Sequence, residues 1–81
     1  MNDIEPRIAD VMLTKLRERD PSLGYDDLER PVGDLDLDSL DIVELTQQLE
    51  RELQVKADLK ETATFGLLQD FTAYFVKLAE Q

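Results

Sequence analysis

Apolar residues recur along this chain with the period of a helix. Ile4, Ile8, Val11, Met12 and Leu16 follow one another at spacings of four, three, one and four, which places them on one face of a helix from about Asp3 to Arg19. Asn2 or Asp3 is in place to cap it. Pro6 falls in the first turn, where proline is tolerated. Asp20-Pro21 ends it, because the residue before a proline is pushed out of the helical region. A second stripe, Ile42, Leu45, Leu49 and Leu53, runs at three, four and four and predicts a helix over Ser39–Leu53 with Thr46 beside the buried face. A third set, Leu67 or Leu68, Phe71, Phe75 and Leu78, predicts a last helix from near Thr64, its expected N-cap, to about Ala79, with Tyr74 at the edge. Gly66 would fall in its first turn and allow close packing. Between these lie a link at Gln54-Val55-Lys56 and a short helix over Asp58–Ala63 with Leu59 facing inward.

Residues Asp20 to Asp38 do not follow this period. Pro21, Gly24, Pro31 and Gly33 punctuate them. A loop this long is functional or tied down, and Leu23, Tyr25, Leu28, Val32, Leu35 and Leu37 supply apolar groups to pin it, with a short helical turn around Tyr25 to Glu29. The expected fold is all-α: a small four-helix bundle of three main helices and a short one, with a long first loop.

Length and composition narrow the chemistry. At 81 residues one domain over 1–81 is expected. There is no cysteine, so no disulfide and no thiolate metal site. No apolar run approaches the roughly 20 residues that span a bilayer, so membrane insertion is not expected. The acidic N-terminus lacks a signal-peptide pattern, which makes the cytoplasm the expected location. The net charge of −10 excludes nucleic acid as a partner, since phosphate binding requires clustered Lys and Arg. The charge is uneven. Arg7, Lys15, Arg17 and Arg19 lie in the first segment, whereas Asp34, Asp36, Asp38, Asp41, Glu44, Glu50 and Glu52 face only Arg51. That field is expected to steer basic partners toward Ser39.

Ser39 stands among these aspartates at the predicted start of the second helix. The chain has no histidine, so no Ser-His-Asp triad can activate it, and a serine so displayed reads as a site that another enzyme modifies. An EF-hand fails: Asp34, Asp36 and Asp38 fit positions one, three and five, but position six is Ser39 instead of glycine and position twelve is Leu45 instead of glutamate. A structural role is expected as well, with Asp38 capping the helix and Asp41 and Glu44 complementing its dipole. Leu40 and Val43 point away from the core stripe. With Asp41, Glu44, Gln47 and Glu50 they form a candidate docking surface.

The run Asp38-Ser39-Leu40-Asp41-Ile42-Val43-Glu44-Leu45 resembles the signature of acyl carrier proteins. Length, acidity, the long first loop, the short third helix and the aromatic fourth helix agree over nearly the whole chain. The resemblance implies that Ser39 receives 4′-phosphopantetheine from coenzyme A. It implies that Asp38 lies near the divalent metal of the phosphopantetheinyl transferase, and that the arm's thiol carries acyl groups as thioesters. Implied partners are that transferase and acyltransferases, ketosynthases or condensation enzymes with basic docking surfaces, acting on a monomer. The phosphodiester would find free backbone N–H groups and a favourable dipole at the helix start. Ile42, Leu45, Thr46, Leu49, Leu59 and Phe71 are candidate liners for a folded-back acyl chain.

Asp36 replaces the glycine many members carry two residues before the motif aspartate, and Gln47, Gln48 and Arg51 depart from fatty-acid carriers. The stretch Thr64-Phe65-Gly66-Leu67-Leu68-Gln69-Asp70-Phe71 resembles carriers of polyketide or mixed polyketide–peptide pathways. The absence of long linkers between Met1 and Gln81 suggests a free-standing carrier. Two other readings stay open: a peptidyl or aminoacyl carrier loaded by an adenylating enzyme, and an unmodified acidic helical adaptor. An autonomous enzyme is disfavoured, since only carboxylates remain as acid–base groups.

Overall fold

A computed structural model describes residues 3–80. Helix α1 spans Ile4–Arg19, with Asp3 at the N-cap position but making no side-chain cap hydrogen bond. Asn2, the other expected cap, lies outside the described residues. Asp20 adopts an extended conformation (φ −142, ψ 100) and stops the helix ahead of Pro21. Ile8, Met12, Leu13 and Leu16 are buried, and Ile4 and Val11 pack half-buried against the core. Lys15 is buried as well.

The first loop holds two 3-10 turns. Tyr25–Glu29 is the expected one, and the Gly24 N–H donates to Asp27 Oδ2 at its start (2.8 Å). The second, Val32–Leu35, has no periodicity to announce it. Such a turn requires only i→i+3 bonds, here from Asp34 N–H to the Pro31 carbonyl (3.0 Å), and it carries Leu35 into the core. The turn ends at Asp36 in the left-handed region (φ 57, ψ 31).

Helix α2 has the predicted bounds, Ser39–Leu53. Ile42, Leu45, Thr46 and Leu49 are buried and Leu53 is half-buried. The helix closes on Gln54 in the left-handed region (φ 55), where the N–H groups of Gln54 and Val55 both reach the Glu50 carbonyl.

Helix α3, Leu59–Thr62, is a single turn capped by Asp58, whose Oδ1 accepts the Lys60 N–H (2.9 Å). The inward residue is not Leu59, which is 41% exposed, but Thr62, which is fully buried. A polar contact decides this: the Thr62 and Thr46 hydroxyls lie 3.1 Å apart in a hydrogen bond, and Thr46 also bonds the Ile42 carbonyl (2.8 Å). Thr46→Val should therefore cost about 1 kcal/mol, because the Thr62 hydroxyl loses its buried partner and keeps only a long bond to the Leu59 carbonyl (3.4 Å). Urea denaturation of the variant measures this.

Helix α4 spans Leu68–Ala79 and starts later than its pattern predicts. Thr64 is not its N-cap. The Thr64 hydroxyl donates back to the Glu61 carbonyl (2.7 Å), closing the turn after α3. Residues 64–67 are drawn out of helix because the Gly66 carbonyl accepts the Val32 N–H (2.9 Å), forming an isolated antiparallel bridge between Pro31 and Leu67. Gly66 thus lies outside the helix, and a Cβ there would meet nothing within 4 Å, so close packing is not its purpose. Leu68, Phe71 and Phe75 are fully buried, and Leu67 is exposed. Edge-to-face contacts run from Phe71 to Phe65 (5.0 Å) and on to Tyr74 (5.5 Å). The Tyr74 hydroxyl accepts the Asp58 N–H (2.9 Å) and so ties α4 to the start of α3. The core lies between α1, α2 and α4, with the loop and α3 laid over its sides. Among the described residues no helix is long and apolar enough to cross a membrane.

Candidate functional site

Ser39 is the first residue of α2. On either side of it Asp38 and Asp41 form a reciprocal capping box. Asp38 Oδ1 accepts the Asp41 N–H (2.9 Å), and Asp41 Oδ2 accepts the Asp38 N–H (3.1 Å). The serine backbone is clamped between two side-chain-to-backbone bonds, while its hydroxyl takes no part in the box and faces solvent. The capping box also occupies N–H groups that were expected to be free for a phosphodiester.

The end of α1 brings two cations to this box. Arg19 Nη2 lies 2.6 Å from Asp41 Oδ2 and 3.4 Å from Asp38 Oδ2. Lys15 Nζ lies 2.9 Å from Glu44, 3.3 Å from Glu18 and 3.7 Å from Asp41. The Asp41 side chain is only 8% exposed. One inward carboxylate therefore joins the backbone ahead of Ser39 to both α1 cations. The bonded Asp41 N–H holds the Asp38 carboxyl below its ordinary range, and the Arg19 charge adds to this.

The hydrogen bond to Glu44 pushes the Lys15 ammonium above its ordinary value of 10.5; burial opposes the shift and Glu18 adds to it. A group raised in the folded state contributes stability that is complete below its unfolded value and lost as pH rises through its folded one. The Lys15 contribution should therefore persist to about pH 10.5 and disappear above it. Denaturation midpoints across alkaline pH should fall less in Glu44→Gln, which lacks the largest of these contacts.

The candidate docking residues divide by geometry. Leu40 is 65% exposed, Gln47 is exposed and Val43 is half-buried, all on the side of α2 away from the core. Asp41 does not belong with them: it faces inward and is paired. Glu44 remains accessible but is bound to Lys15. The Glu50 carboxylate accepts the Ala57 N–H (2.7 Å) and so holds the link between α2 and α3. Lys15 and Arg19 are the site residues that the pattern did not single out. A signal existed for Lys15, seven residues after Ile8 and three after Met12, which is a core-facing register for a cation.

Among the described residues no group of three or more acidic, His or Cys side chains is arranged to hold a metal ion. Of the expected acyl liners, Ile42, Leu45, Thr46, Leu49 and Phe71 are buried in the core and Leu59 faces outward. None of them lines the surface cleft between α1 and α2 at Val11, Thr14, Gln48 and Arg51, or the one formed by the first loop.

A family model described as phosphopantetheine attachment site matches residues 6–75. The chain belongs to that family: it is a carrier domain and not a catalyst, its prosthetic group is covalently bound 4′-phosphopantetheine, and carriers of this kind work with a phosphopantetheinyl transferase and partner enzymes. No curated protein and no solved structure matches the chain. Ser39 fits such a group, since it offers an exposed hydroxyl on a backbone held still from both sides. When bound, the group supplies a thiol for thioester chemistry. The chain itself presents and orients the serine.

Proposed function

We propose that Ser39 is the attachment residue and that the protein is an acyl carrier of polyketide or mixed polyketide–peptide biosynthesis, acting in the cytoplasm. The observation that carries this reading is the exposed Ser39 hydroxyl at the start of α2, flanked by the Asp38–Asp41 box within the family match. Asp38 is then the residue nearest the transferase's metal. The pathway rests on the Thr64–Phe71 stretch and on Gln47, Gln48 and Arg51, which stand where fatty-acid carriers tend to have small, apolar or acidic residues.

Partner docking uses Leu40, Val43 and Gln47, with Glu44 at the margin. Among the described residues Asp34 and Asp36 pair with no cation, so they are the acids left to attract a basic surface beside Ser39. Tethering the cargo makes each reaction with a docked enzyme intramolecular, at effective concentrations of roughly millimolar for a flexible arm, so docking can be brief and weak.

The aminoacyl reading gains from one observation. Lys15 and Arg19 neutralise Asp41 and much of Glu44, and strong negative charge on α2 is a feature that favours acyl over aminoacyl cargo. Intact-mass spectrometry after incubation with coenzyme A, magnesium and a broad-specificity phosphopantetheinyl transferase tests the attachment. Loading of the product by an adenylating enzyme alone would overturn the acyl assignment. Failure of the folded, unmodified protein to gain mass would favour the adaptor.

A further inference from the structure

The first loop and the end of α1 enclose a cleft of about 470 Å³ whose walls include Arg19, Leu23, Arg30, Asp34, Leu35 and Asp36. Its size is within the roughly 300–1,000 Å³ of small-molecule sites. Two of its wall residues bring it close to Ser39. Arg19 touches Asp38, the residue before the serine (3.4 Å). Asp36 turns the chain in the left-handed region three residues ahead of it.

We infer that this cleft is the resting place of the pantetheine arm between partner encounters, an inference that rests on Ser39 being the attachment residue. The lining suits the arm group by group. Arg19 contacts Asp38 and Asp41 through Nη2 alone, so its other donors are available to the phosphodiester. The Arg19 side chain is 46% exposed, open enough to be reached. Beyond the phosphate the arm is neutral, with a hydroxyl and two amides whose O–H and N–H groups require acceptors. The carboxylates of Asp34 and Asp36 engage no cation and provide them. Arg30 is fixed through Nη1 by Asp27 (3.2 Å) and through Nη2 by the Asp34 carbonyl (3.1 Å), and neither bond uses its Nε–H, which leaves a donor for an amide oxygen. Leu23, half-buried, gives the arm's dimethyl group an apolar wall, and the 6% of Leu35 left exposed forms the floor beneath it.

The cleft is half open, so the arm is held weakly, and the tether supplies the local concentration that makes weak binding sufficient. A basic partner that pairs with Asp34 and Asp36 takes away the arm's acceptors and frees it for transfer.

Nuclear magnetic resonance of isotopically labelled protein before and after enzymatic conversion tests this, with intact mass read first. The expected result is a complete mass gain, amide shifts at Leu23, Arg30 and Leu35, and nuclear Overhauser contacts from the dimethyl protons to the Leu23 and Leu35 methyls. In Arg30→Gln, compared with its own unconverted form, the shifts at Leu23 should be lost and those at Leu40 and Asp41 retained. A complete mass gain with shifts confined to residues flanking Ser39, and no contacts to either leucine, would overturn the cleft assignment while leaving the attachment intact. No mass gain would overturn the attachment itself, and the arm's resting place with it.

Discussion

Ser39→Ala is expected to abolish phosphopantetheine addition completely while leaving the fold unchanged. With coenzyme A, magnesium and a transferase, the parent protein should gain the mass of one phosphopantetheine and the variant none. The loss is absolute because the hydroxyl oxygen is the atom that bonds phosphorus, and no neighbouring side chain can replace it. Asp38 and Leu40 carry no hydroxyl. Thr46 and Thr62 are fully buried and bonded to each other. Stability should move by no more than about 0.5 kcal/mol, the range of surface substitutions. The helix start is held by Asp38 and Asp41, not by the serine, and alanine is the best helix former. Circular dichroism and thermal unfolding of the variant check the second half. A variant that still gained mass would move the attachment elsewhere, and one that failed to fold would place Ser39 in the scaffold.

Asp41→Ala should be the most damaging polar substitution near the site, costing about 3 kcal/mol, the low end for removing one partner of a buried ion pair. Several losses coincide. The Asp38 N–H loses its acceptor, Arg19 loses its 2.6 Å partner, and Lys15 loses one of its three carboxylates. The figure stays low in its range because Lys15 keeps Glu44 and Glu18, and Arg19 is half-exposed to water. Against a total of roughly 5–15 kcal/mol for a domain, that loss is large. Asp41→Asn keeps an oxygen for the Asp38 N–H and should cost distinctly less. Urea midpoints for both variants separate the two contributions, and equal effects would show that charge carries nearly all of it. The same substitution should slow modification of Ser39, because the box that fixes the serine is broken. This follows from a correction: Asp41, expected to face partners, holds the helix start in place.

Local chemistry made much of this protein legible. The bounds of α2 follow from Asp38 as a cap, a stripe repeating every three to four residues, and polar residues after Leu53. The end of α1 follows from Asp20-Pro21, and Tyr25–Glu29 from its own short-range bonds. Ser39 stood out because no histidine exists to make it a nucleophile. These inferences concern residues within a turn of one another, where backbone sterics and capping act alone.

What escaped depends on segments far apart in the chain. Thr64 has the identity of a helix cap, but Gly66 bonds Val32, and that contact withholds residues 64–67 from α4. Leu59 has the hydropathy of a core residue, but Thr62 takes the inward place because Thr46, 16 residues earlier, offers it a hydroxyl. The acids around Ser39 form an unopposed field on paper, yet Arg19 and Lys15 meet Asp41 and Glu44 across separations of 22 and 29 residues. The sequence by itself determined the helices, their apolar faces and the serine proposed for modification, because periodicity and capping are short-range. Only the tertiary structure decided which acids are neutralised and which polar groups are buried, because ion pairing and desolvation depend on which helices meet.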